Sequence, residues 1–248
     1  MVVWDPPIRD YQFLYHELLP AIETVQRLGY TDFNADFLDS LIEGWATHCE
    51  EVWLPINQLG DREGLKFEDG KITMPQEFKD AYRKGIDEGW LSTTCELEHG
   101  GMGVPLFFQA VTWAEFGTSA CMALSVLPAL SIGVYEVLVK HGRQDLIDYF
   151  ATNLASGEWS GTMCLTEPHA GTDLGIIATK ANPQEDGTYR LSGSKCFITY
   201  GEHDMAENIV HLVLAKAPGG PEGTRGISLF LVPKFLSEDW QSGDLEGI

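Results

Sequence analysis

The sequence predicts an α+β fold in which a helical segment precedes a strand-rich one. Three observations predict it. Apolar residues recur at three- and four-residue steps through roughly the first 155 residues, the period of a buried helix face. After Gly157 that period gives way to short runs of β-branched and aromatic residues separated by turn residues. The change occurs once, so helices and strands are segregated and do not alternate as β-α-β units.

The clearest helix signal lies between Leu38 and Ile56. Leu38, Leu41, Ile42, Trp45, Cys49, Val52, Trp53 and Ile56 form one broad apolar stripe, which Pro55 is expected to end or kink. A second helix is expected to start near Pro75, run through Phe78, Tyr82 and Ile86, and stop at Gly89. Further helical stretches are predicted over 105–117, 120–141 and 143–155, punctuated by Gly117, Pro128 and Gly142. These stripes are packing surfaces and carry no chemistry.

Strands are predicted at Trp159–Thr166, Ile176–Ala181, Thr188–Ser192, Lys195–Tyr200, Ile209–Ala215 and Ile227–Val232. Turn residues between them include Gly171-Thr172-Asp173, Glu185-Asp186-Gly187 and Pro218-Gly219-Gly220-Pro221. Residues 1–37 read as an extension, 38–158 as a helical domain and 159–248 as an incomplete β domain. Leu236–Ile248 carries no strand pattern, so a sheet ending there is expected to keep an unpaired edge.

Composition narrows the function classes. With 44% apolar residues the chain can bury a substantial core, so it reads as folded and not disordered. The longest apolar run, Met122–Ile132, is broken by Ser125, Pro128 and Ser131 and reads as too short to span a bilayer. Met1-Val-Val-Trp-Asp5 lacks a basic region, an apolar region and a cleavage site, so a cytoplasmic protein is expected. A formal charge of −21 disfavours nucleic-acid binding, which needs a locally basic surface. The five cysteines, at 49, 95, 121, 164 and 196, are scattered without a Cys-x-x-Cys pair and read as free thiols. The seven histidines show no metal-ligand spacing.

Two segments carry the functional signal. In Met163-Cys-Leu-Thr-Glu-Pro-His-Ala-Gly-Thr-Asp173, a strand delivers Thr166 and Glu167-Pro168 leads into a turn. Ala170 and Gly171 permit close backbone approach to a ligand, and Gly171 can adopt positive φ. Successive N–H groups, with the hydroxyls of Thr166 and Thr172, make a concavity suited to a pyrophosphate or a flavin edge. A plain Pro-Gly connector capped by Asp173 explains the same residues. Ser192-Gly-Ser-Lys-Cys-Phe-Ile-Thr-Tyr-Gly201 reads as a turn and then a strand. A strand would put Phe197 and Thr199 on one face, an aromatic surface beside a hydroxyl donor. An ordinary half-buried strand explains it equally well.

In this order and about 30 residues apart, the two segments together resemble the acyl-CoA dehydrogenase family. Thr166–Asp173 is similar to its T-E-P-x-A-G-[ST]-D loop, and Gly193–Gly201 to its G-x-K-x-[WF]-I-T-x-G segment. Glu98-His-Gly-Gly-Met-Gly103 is like the glycine turn of the family's helical domain. The opening, Pro6–Asp10 through Phe13–Leu18, resembles the amino-terminal segment of a larger subgroup that includes 3-methylmercaptopropionyl-CoA and some long-chain dehydrogenases. The resemblance implies a helical domain, a β-barrel-like middle domain cut short, and no carboxy-terminal helical bundle.

It also implies FAD. Met163, Cys164, Leu165 and Thr166 would run along the flavin, with contacts to the ring from backbone and from the Thr166 hydroxyl. Gly171 and Thr172 would approach the pyrophosphate, and Thr172 would also touch the acyl-CoA. Phe197, Ile198 and Thr199 would back the ring, with Thr199 near its N5–O4 edge. Phe197 stands for the usual tryptophan, Thr172 for serine, Tyr200 for a common asparagine and His169 for a small residue. The implied reaction is α,β-dehydrogenation of an acyl-CoA thioester, with an electron-transferring flavoprotein as acceptor and a homodimer or homotetramer as the assembly. The family's base, a glutamate of the carboxy-terminal domain, has no counterpart in these residues. Glu167 reads as structural and His169 as a solvated loop residue. The chain is read as an amino-terminal part of such an enzyme. One subunit of a split dehydrogenase, an acyl-CoA oxidase-like enzyme and a non-catalytic interaction module are the alternatives.

Overall fold

The computed structural model describes residues 4–108 and 115–236. The chain divides into two compact units, 1–126 and 127–248.

The first unit is mainly helical. Helix α1 (Ile8–Gln12) passes into a π turn (Phe13–Leu18), followed by α2 (Ala21–Arg27) and α3 (Ala35–His48). Asn34 starts α3, its side-chain oxygen accepting from the Phe37 N–H at 3.0 Å. Leu38, Leu41, Ile42, Trp45, Cys49, Trp53 and Ile56 are all buried, as the stripe predicts. Pro55 does not end the helix. The backbone widens into a π turn at Cys49–Trp53, and Pro55 then falls in the first turn of α4 (Leu54–Glu63), where its missing N–H costs little. Helix α5 (Gln76–Asp87) has Pro75 at its N-cap and ends before Gly89, at φ 77°.

Around this lies an aromatic core. Trp45 stacks on His48 with ring centroids 5.4 Å apart, and Trp53 meets Trp45 edge-on at 5.0 Å. The sequence reading missed a hairpin, β1 (Lys66–Glu68) with β2 (Lys71–Thr73). Its turn is Asp69-Gly70, both at positive φ, as a tight two-residue hairpin loop requires. Of the stretch expected over 105–117, α6 (Leu106–Phe108) is observed and 109–114 lie outside the described residues.

Helix α7 (Thr118–His141) contains Pro128 and has one non-helical residue, Cys121. The helical stretch from Glu115 to His141 is long and apolar enough, by length and composition, to cross a membrane. That corrects the expectation drawn from Met122–Ile132, because Val134, Tyr135, Val137, Leu138 and Val139 extend the apolar run beyond Ser131. Half of the apolar stretch is buried inside the protein.

In the second unit, α8 (Gln144–Ser156) packs its Phe150 against Trp159, ring centroids 5.7 Å apart. The sheet comprises β3 (Trp159–Cys164), β4 (Lys180–Pro183), β5 (Tyr189–Ser192), β6 (Asn208–Lys216) and β7 (Ile227–Pro233). Strand β6 is central. It runs parallel to β3 and antiparallel to β7, while β4 joins it at Lys216 and pairs antiparallel with β5. Among the described residues the sheet does not close into a barrel, and β7 pairs only with β6. The unpatterned tail expected over Leu236–Ile248 lies, save Leu236, outside the described residues.

Two strand expectations need correction. Lys195–Tyr200 is not a strand, because Phe197 and Tyr200 sit at φ 57° and 52°, which breaks the alternation of a pleat. Ile176–Ala181 begins as a short 3₁₀ turn (Leu174–Ile176), and pairing starts only at Lys180. The reason is chemical: the N–H groups of Ala178 and Thr179 donate to the Glu167 carboxylate and not to a neighbouring strand.

The β3–β6 layer also buries two polar pairs. His203 is 1% exposed; its Nδ1 accepts from the Met205 N–H at 3.1 Å, so Nε2 carries the proton and donates to Ser160 Oγ at 2.9 Å. Thr162 Oγ1 lies 2.7 Å from His211 Nδ1.

Candidate functional site

Strand β3 carries Met163 and Cys164 to its end, and Leu165 and Thr166 continue from it half-buried. The chain then reverses. Glu167 N–H donates to Ala170 O at 2.9 Å and Ala170 N–H to Glu167 O at 3.0 Å, closing a turn over Pro168-His169. Asp173 Oδ1 accepts from the Gly175 N–H at 3.0 Å, the capping role available to it in a plain connector. Between these closures Gly171 and Thr172 are exposed. Gly171 does not use positive φ, contrary to expectation. A Cβ built there would meet nothing within 4 Å, so glycine leaves open space on that side of the turn.

The second segment lies against the first. Cys196 N–H donates to Thr166 O at 3.0 Å, and Lys195 Nζ donates to Leu165 O at 2.9 Å. Immediately beyond these contacts Phe197 turns its ring outward and is 92% exposed. Ile198 is half-buried, Thr199 is exposed, and Gly201 N–H closes a turn onto Ile198 O. Thus the structure joins the segment that carries Met163, Cys164, Leu165 and Thr166 to the one that carries Phe197, Ile198 and Thr199 through contacts at Leu165 and Thr166, and leaves Gly171 and Thr172 exposed in the turn that follows.

An exposed phenyl ring on a left-handed backbone is costly in water twice over, in apolar exposure and in conformation. With threonines at 166, 172 and 199 in the two joined segments, the residue types fit a flat aromatic ring system bearing hydrogen-bonding edges and a phosphate tail. FAD has that chemistry. The residues present therefore fit the group that the resemblance implies.

Glu167 is 3% exposed and accepts four hydrogen bonds: Ala178 N–H at 2.6 Å, Thr179 N–H at 3.0 Å, Thr179 Oγ1 at 2.5 Å and Lys195 Nζ at 2.9 Å. Burial alone would raise its pKa. The Thr179 hydroxyl, the Ala178 N–H and Lys195 more than reverse that and hold it at about 2. So fixed, it suits a structural role and not proton abstraction. His169 is half exposed, with Nε2 3.2 Å from Ile176 O. Lys195 and Thr179 escaped the sequence reading. Gly193 was the available signal, since a Cβ there would lie 2.2 Å from Thr179 Oγ1 and 2.7 Å from its Cα.

In the first unit, the Glu98–Gly103 turn borders a cleft of about 620 Å³ lined by Tyr30, Phe33, Phe37, Leu97, Met102 and Val104, among others. The donor atoms of Glu96, Glu98 and His99 gather within 4.8 Å of one another beside it, with both carboxylates exposed.

Comparison with known proteins agrees with this geometry. Residues 62–158 match the family profile "Acyl-CoA dehydrogenase, N-terminal domain", and 162–242 match "Acyl-CoA dehydrogenase, middle domain". The chain is 42% identical over 238 residues to the 3-methylmercaptopropionyl-CoA dehydrogenase of Ruegeria pomeroyi, covering 95% of this chain and 40% of that protein. It is 35% identical over 242 residues to a butyryl-CoA dehydrogenase of Syntrophomonas wolfei, covering 95% and 39%. The crystal structure of an acyl-CoA dehydrogenase from Geobacillus kaustophilus superimposes with a TM-score of 0.65 at 22% identity, over 82% of this chain and 49% of that one. The chain therefore spans about 40% of the length of these curated relatives. It belongs to the acyl-CoA dehydrogenase family, of which it carries the N-terminal and middle domains.

Proposed function

We propose that the protein acts as an FAD-dependent acyl-CoA dehydrogenase, forming a double bond between the α and β carbons of a thioester. The observation that carries this reading is the joined pair of segments, with Phe197 turned outward beside the Thr166–Thr172 turn. When bound, FAD supplies the hydride-accepting chemistry. The chain's own residues would bind and orient it. Thr166 and Thr199 offer hydroxyls to the ring edge, Phe197 backs its face, and Met163, Cys164, Leu165 and Ile198 line the approach. Gly171 and Thr172 receive the pyrophosphate, and Thr172 also touches the acyl-CoA.

Glu167 is excluded as the base by its four donors and its pKa of about 2. The α-proton is taken by a carboxylate outside these residues, and an electron-transferring flavoprotein accepts the electrons. The substrate class is supported by both relatives being acyl-CoA dehydrogenases by name. The test is anaerobic titration of the flavin-loaded protein, expressed from its whole reading frame, with butyryl-CoA and 3-methylmercaptopropionyl-CoA. Bleaching of the oxidised-flavin band by either thioester is the expected result. A flavin that binds but stays oxidised with both would refute the proposed reaction.

A further inference from the structure

We propose that Glu167, Lys195 and Thr179 form a buried staple that sets the register of the 193–201 segment against the 163–173 turn, and so acts as the positioning device of the flavin site. The inference rests on the flavin reading above and assigns a role to residues that reading leaves unused.

The ladder that fixes β5 ends at Ser192, and the 193–201 segment beyond it pairs with no strand, so no ladder holds its position past that point. Its register must come from discrete contacts, and these converge on three successive residues of the other segment. Lys195 Nζ reaches Leu165 O, Cys196 N–H reaches Thr166 O, and Lys195 Nζ also reaches Glu167 Oε1. The ion pair is shielded, with the Glu167 and Lys195 side chains 2% and 12% exposed. The Thr179 hydroxyl and N–H donate to the same Oε1 that Lys195 holds, the Ala178 N–H donates to Oε2, and Gly193 packs against Thr179 with no room for a Cβ.

A buried ion pair recovers little of its desolvation cost as net stability, and register is one of its better-attested uses. Here the register matters because Phe197 lies two residues beyond Lys195, on a backbone it would not adopt unaided. A shift by one residue would replace the outward phenyl ring with Cys196 or Ile198.

The test uses the double variant Glu167→Gln/Lys195→Met in the protein expressed from its whole reading frame. It removes both charges together and so leaves no lone buried ion. Three quantities are measured against wild type: the FAD dissociation constant by fluorescence titration, the visible band of the bound flavin, and the thermal midpoint of the flavin-free protein. The staple predicts a lowered midpoint, because the carboxamide has one acceptor oxygen where the carboxylate offers two to the Ala178 and Thr179 N–H groups. With it come a shifted flavin band and FAD binding weakened by about tenfold or more when titrated well below that midpoint, the scale on which groups that orient a ligand-binding residue act. Unchanged affinity and band would overturn the proposal while the flavin reading stands. A wild-type protein that binds no FAD would overturn both. Should the double variant fail to fold, Thr179→Val, which keeps both charges, decides on the same readouts: weaker FAD binding at an unchanged midpoint supports the staple, and wild-type binding overturns it.

Discussion

Acidification should weaken the second unit in a window set by His203. Burial, and then Lys234 nearby, hold this imidazole at a pKa of about 4, down from an ordinary 6.5; Glu202 and Asp204 oppose the shift only in part. The geometry agrees, because Nδ1 accepts the Met205 N–H at 3.1 Å, and a proton there would set two donors against each other. Between pH 6.5 and 4 the unfolded chain therefore holds a proton that the folded one refuses. Stability is whole above the upper limit and falls as pH drops through the window. The slope approaches about 1.4 kcal/mol per pH unit, or about 3 kcal/mol in all. Urea unfolding followed across this range would measure it. His203→Asn keeps an acceptor for the Met205 N–H and has no proton to gain, so the variant should lose this part of the pH dependence. An identical slope in wild type and variant would refute the reasoning.

Other substitutions test the site. Gly193→Ala should cost about 1–3 kcal/mol, because the new methyl group meets the Thr179 backbone; a melting midpoint equal to wild type would show that the loop yields freely. Thr199→Val should weaken FAD binding or slow flavin reduction by up to about tenfold, the worth of one neutral hydrogen bond. Stopped-flow reduction at the wild-type rate, with wild-type affinity, would make Thr199 a plain loop residue.

The legible parts of the fold were those where one side-chain pattern serves one packing surface. Ile209–Ala215 and Ile227–Val232 lie within observed β6 and β7, and the Leu38–Ile56 stripe is buried except at half-buried Val52. The hairpin at 66–73 was hidden because its three-residue strands are mostly exposed, with only Ile72 half-buried, and impose no apolar alternation. Lys195–Tyr200 misled for the opposite reason. Cys-Phe-Ile-Thr-Tyr has strong strand propensity, yet the contacts of Lys195 and Cys196 with 165–167 override it and turn Phe197 into a left-handed conformation. In the candidate site, Thr166, Gly171 and Thr172 stand in one contiguous motif, which made them proposable from the sequence. The Glu167–Lys195 pair could not, since its members stand 28 residues apart and a lone carboxylate and amine leave no periodic trace.

The most direct measurement is the visible spectrum and cofactor content of the protein expressed from its whole reading frame. Oxidised-flavin absorbance, one FAD released per chain on denaturation, and loss of that FAD when Phe197 and Thr199 are both replaced by alanine are the predicted results. A colourless protein that takes up no FAD on reconstitution, with its fold intact, would contradict the flavin site.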